Sequence, residues 1–257
     1  MTAAATTTVV PSRGRLIATR VLAWLAAGLA ALGAAMLASY LPAGAEAGHQ
    51  LHDVAGLVLL VGVIGASLVR IGLRPAESDA AVQMLVGVTV INLVVALATG
   101  GFDPFHLVLV GVAVVVGAVS PSSLVPSGPK DRRLLGGALV ALALVPYAIE
   151  QLRLQALAPT ADPHAEFGHY GGMASMSFGI ILLAYLASTK RSAWRLPGWM
   201  AGLAVVVLGV GSLAFVAVSR LSTTWAVVAI AAGVLWIGLV EWTARQDADT
   251  GATATVG

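Results

Sequence analysis

Eight stretches of this chain are apolar for long enough to cross a bilayer, near residues 18–40, 50–71, 82–100, 104–121, 133–152, 169–188, 197–218 and 223–243. No other feature constrains the fold as tightly. In hydrocarbon a run of about 20 apolar residues must satisfy its own backbone, and only a helix does so within one segment. Charged residues are 10% of the chain, against about 25% in soluble domains, and the mean hydropathy is +0.92. The fold class is therefore an all-α integral membrane protein with eight transmembrane helices. The first stretch ends near "AGAEA", loosely like a leader-peptidase site. Its apolar run is longer than that of an ordinary leader, so it reads as a helix.

Charge sets the expected orientation. Arg13, Arg15, Arg20, Arg70, Arg74, Lys130, Arg132, Arg133, Lys190, Arg191, Arg195 and Arg245 all fall at one end of the spans, leaving Arg153 and Arg220 at the other. The positive-inside rule then predicts a multi-pass protein of a cell inner (cytoplasmic) membrane with both termini in the cytoplasm. The net charge of +2 follows from this topology and gives no nucleic-acid signal, so the expected partner is the lipid bilayer. The chain has no cysteine, which excludes disulfides, thiolate metal sites and iron–sulfur clusters.

"SPSSLVPSGPKDRR" at 120–133 is rich in Ser, Pro and charge and reads as a linker. It divides the chain into a first four-helix half (1–122), a cytoplasmic linker (123–133) and a second four-helix half (134–257). "AEAGH" at 45–49 and "AEFGH" at 165–169 support a duplication, because Glu and His number only five each. A shift of about 120 residues superimposes the spans in order. An even number of helices per half makes the repeat parallel, so two pseudo-symmetric four-helix bundles in a 4+4 arrangement are expected.

The five histidines, His49, His52, His106, His164 and His169, all map to the outer ends of spans or the loops above them. Glu46, Asp53, Asp103, Glu150, Asp162 and Glu166 sit at the same level. Glu46, His49 and His52 or Asp53 recur at helical spacing, as do His169, Met173 and Met176. A carboxylate one turn inside a span, such as Asp53, is costly unless it has a partner or water. Ionisable groups repeated at the mouth of a bundle are candidates for function. The glycines and methionines around them serve packing equally well.

Three chemistries fit these residues. Haem b needs an imidazole on its iron and an apolar slot between helices. His49 and His106 open the second and fourth spans and could share one bundle, whereas Trp225 stands near the place equivalent to His106 in the second half. A non-haem metal is the alternative. Paired Glu-x-x-His motifs are found in di-iron carboxylate sites, and His49, His52, His106, His169 and Met173 would suit copper. The remaining reading is a non-catalytic accessory subunit of a larger membrane complex, whose histidines bind no cofactor.

With "EAGH" at 46–49, "EFGH" at 166–169 and "FHLVLVG" opening the fourth span, the chain resembles the haem A synthase family. The resemblance implies eight helices in two halves, haem cofactors, a membrane redox partner and a haem-modifying oxidoreductase or electron-transfer activity at the outer face. It also implies that Glu46 lies near the oxidised methyl group of a substrate haem whose iron His49 and His106 ligate. His169 would then ligate a second haem, with Glu166 beside it.

Overall fold

The computed structural model describes residues 11–40, 47–101, 104–127, 130–157, 168–216 and 219–254. Their regular structure is helical throughout. The first helix is α1 (Arg13–Tyr40); α2 is built of three continuous pieces, Ala47–Leu57, a π-helical stretch Val58–Gly65, and Ala66–Leu73. A single 3₁₀ turn (Pro75–Glu77) leads to α3 (Asp79–Thr99), followed by α4 (Pro104–Val119). Next, α5 joins Arg132–Val140 to Val145–Leu157 through a 3₁₀ turn at Ala141–Leu144. The series closes with α6 (His169–Ser188), α7 (Arg195–Ala214) and α8 (Thr223–Ala254). Seven of these are long and apolar enough to cross a membrane, and α4 is a shorter apolar helix of 16 residues.

Local chemistry accounts for the helix ends. Asp131 caps α5, its carboxylate accepting from the backbone N–H groups of Arg133 at 2.9 Å and Leu134 at 3.1 Å. Gly100, at φ 74°, stops α3 in the left-handed conformation that glycine adopts without a Cβ clash. The guanidinium of Arg15 donates to the carbonyls of Val119 (2.9 Å) and Ser120 (2.7 Å), placing a cation on the C-terminus of α4.

The halves do not stand apart. α6 packs against α2, α3, α5 and α7, while α7 also meets α2. One buried cluster belongs to the first half: Ala23 and Ala26 of α1, Leu68 and Ile71 of α2, Leu85 of α3 and Val116 of α4. The other two cross the divide. Val63, Met84 and Val88 of the first half pack with Ala138, Leu183, Ala184 and Ala201 of the second, and Ala55 of α2 packs with Met173, Met176 and Leu208.

The two ends of the bundle differ. At the end that holds most of the Arg and Lys, the α6–α7 turn docks on the start of α3. Asp79 N donates to Ser192 Oγ (2.9 Å) and Ala80 N to the Ser192 carbonyl (3.0 Å), satisfying amides that a helix N-terminus leaves unpaired. Lys190 and Ala193 of that turn sit at φ 49° and 63°, held there by these contacts. The late turns of α8 are tied to the same end. Glu241 accepts from Arg195 Nη2 (2.6 Å) and Trp199 Nε1 (2.8 Å), Lys190 pairs with Asp247, and Arg133 donates to Gln246 and stacks on Trp242.

Candidate functional site at the α2–α6 seam

The opposite end gathers the histidines. α2 and α6 both start there and run parallel, so their first turns lie side by side. The rings of His52 and His169 approach to 4.9 Å between centroids at an interplanar angle of 37°. Tyr170 presents its ring edge to His52 at 5.8 Å. His52 is 7% exposed, Asp53 8% and Tyr170 9%, while His169 is half-buried. Residues 117 positions apart in the chain thus form a polar cluster within an apolar protein.

Neighbouring helices hold the two rings in place. The first-turn amide of Gly171 donates to Gln155 Oε1 of α5 at 3.0 Å, so a buried side chain from another helix satisfies an orphan N–H at the start of α6. On the α2 side, Leu51 seats over Gly211 of α7, where an added Cβ would meet Leu51 Cδ1 at 2.8 Å. Beneath the rings, Met173 (1% exposed) and Met176 (4%) pack with Ala55 and Leu208. Met173 is one helical turn below His169 on the same face.

Ring spacing separates two kinds of ligation. With metal–nitrogen bonds of about 2.1 Å, each centroid lies about 3.2 Å from a shared ion, so a 4.9 Å separation subtends about 100° at the metal. That angle is compatible with two adjacent ligands on one small ion, and the spacing is equally that of an ordinary ring–ring contact. Imidazoles on opposite faces of a haem iron would place their centroids about 6.4 Å apart on the same bond length.

The sequence-selected residues are distributed unevenly. His52 and His169 come together. His49 lies in the first turn of α2, one turn before His52. His106 lies half-buried at the start of α4, which packs on α1 and α3, away from the seam. The apolar crevice beside His106, lined by Leu29, Gly33, Leu68, Phe105 and Leu109, encloses about 30 Å³. Glu46, Glu166, His164, Asp103 and Asp162 fall outside the described residues. Among the described residues no three His, Asp or Glu side chains converge as a metal-binding group.

Gln155 and Gln151 were not singled out from sequence. They are 7% and 2% exposed and lie one turn apart near the end of α5, on the face toward α6. Two amides at i and i+4 inside an apolar span are the signal that identifies such a face. Comparison with family models, curated proteins and solved structures finds no match to this chain.

Proposed function

We propose that this chain is a multi-pass protein of a cytoplasmic membrane that holds a transition-metal ion at its outer end, with His52 of α2 and His169 of α6 as ligands. The observation that carries the reading is the 4.9 Å approach of those two rings. Imidazole suits copper, zinc and iron, and such an ion supplies Lewis acidity or a one-electron couple. The chain's own residues bind and orient. Gln155 fixes the first turn of α6, Leu51 over Gly211 fixes α2, and Tyr170 closes one side of the His52 ring. Glu46, His49 and Glu166 precede His52 and His169 by three or six positions, so they belong to the same stretches of chain and are alternatives for any additional ligand.

Orientation and duplication belong to the same reading. The arginine and lysine distribution supports cytoplasmic termini, which puts the histidines outside. The order of neighbours supports a 4+4 parallel repeat. α1, α2, α3 and α4 pack in sequence with α4 returning to α1, and α5, α6, α7 and α8 do the same with α8 returning to α5. The site then lies where the two halves meet, near the pseudo-two-fold axis, and not inside either bundle.

Metal analysis and an absorption spectrum of the detergent-purified protein test this. We expect a stoichiometric transition metal that is lost in both His52→Ala and His169→Ala. A Soret band that disappears in His49→Ala or His106→Ala would replace the proposal with haem ligation in the first half. A colourless protein that takes up no added metal would leave the accessory-subunit role.

A further inference from the structure

We infer that the ion held by His52 and His169 is monovalent copper, with the thioether of Met173 as its third donor; this rests on the metal reading above. Among the residues that follow the two histidines on their helices, Asp53 and Met173 stand nearest to that place. Asp53 follows His52 directly, so it points about 100° around α2 from the ring pair. It does not join the two imidazoles in a converging group. Met173 stands four residues after His169, on the face of α6 that turns toward α2. It belongs to the same buried cluster as Ala55, three residues after His52. Side chains on a helix lean toward its N-terminus, so Met173 rises toward the rings from below.

The surroundings favour a soft ion of low charge. Met173 is 1% exposed and shares its cluster with Ala55, Ala204 and Leu208. A doubly charged ion that keeps bound water loses solvation at such a floor, whereas a monovalent ion with two imidazoles and a thioether needs no water ligand. Hard divalent ions gain nothing from the sulfur. Of the chain's other methionines, Met176 lies about two turns below His169, Met36, Met84 and Met200 are on other helices, and Met1 precedes the described residues.

Competition titrations on the full-length protein in detergent provide the test, using Cu(I) under reducing conditions against a chromogenic Cu(I) chelator, and Zn(II) against a zinc indicator. In Met173→Leu, which keeps the shape of the core, we expect Cu(I) affinity to fall by roughly tenfold or more while Zn(II) affinity stays within about twofold. X-ray absorption at the copper edge gives a second readout. The chain has no cysteine, so any sulfur neighbour of copper is a methionine, and that shell should vanish in Met173→Leu. If Met173→Leu leaves Cu(I) affinity and the scattering shell unchanged while His52→Ala abolishes binding, the copper assignment is overturned and the metal site stands. Should wild-type protein bind neither ion, the metal reading itself fails.

Discussion

The α7–α8 seam and the α2–α6 seam hold apolar helices together by opposite means. Between α7 and α8 side chains are missing where the backbones meet. A Cβ on Gly233 would lie 2.6 Å from the Gly202 carbonyl oxygen, and one on Gly209 would lie 2.6 Å from that of Ala226. Lipid tails are as apolar as leucine, so such close approach, with its dense van der Waals contact, supplies the attraction that burial supplies in water. Between α2 and α6 the meeting is made by imidazoles, a phenol and an amide. The glycine seam tolerates nothing larger and does nothing chemical. The histidine seam holds groups that are costly to place in a bilayer, and their position at its mouth makes it the candidate site.

Four substitutions press on this contrast. Gly233→Leu should have the largest effect, since the atom in the way is a backbone carbonyl that cannot swing aside. We expect a loss of about 3 kcal/mol or more, seen as disappearance of the monodisperse peak in size-exclusion chromatography. A normal elution profile would show that α8 can pack elsewhere. Gln155→Leu comes next. It leaves the Gly171 N–H without its partner and should cost about 1–3 kcal/mol, read as a lower melting temperature together with weaker metal retention. Unchanged metal content in that variant would mean that the position of α6 is set without the amide.

Ser175→Ala works in the other direction. The hydroxyl is fully buried and makes no hydrogen bond among the described residues, so its removal should raise stability by up to about 1 kcal/mol in a thermal melt. A destabilised Ser175→Ala would point to an internal water bound there. Gly172→Ala is the mildest. No described atom lies within 4 Å of the added methyl group, so helix propensity alone acts, for a gain of a few tenths of a kcal/mol. Loss of metal binding in Gly172→Ala would show that space beside the rings is used.

How much of this was legible follows from what each force depends on. The spans depend on hydropathy and length, and the sequence windows fall within a few residues of most helices. The fourth, expected at 104–121, runs over Pro104–Val119. Lateral pairing depends on the shapes of small and medium side chains, which carry no periodic signal, so the docking of α3 on α6 was not foreseen. The 120-residue offset makes His49 and His169 equivalent positions of the two halves, whereas the residue of α2 that faces His169 is His52, a matter of how the halves pack. The π-helical stretch Val58–Gly65 likewise had no sequence signal. Its wider turns lag an α-helix by roughly 100° over eight residues, about one residue's worth of rotation, so the face of α2 at its start cannot be read from the face packed at its end. The carboxylates of the two Glu-x-x-His motifs, Glu46 and Glu166, lie outside the described residues.

The length of α8 has a consequence of its own. At 32 residues it spans about 48 Å, well beyond a hydrocarbon core of about 30 Å. Its late turns are gripped by Arg195, Lys190 and Arg133. A rod clamped near one end and seated along its length on a glycine track has little freedom to tilt. Any tilt of α8 therefore has to carry α7 and the α6–α7 turn with it.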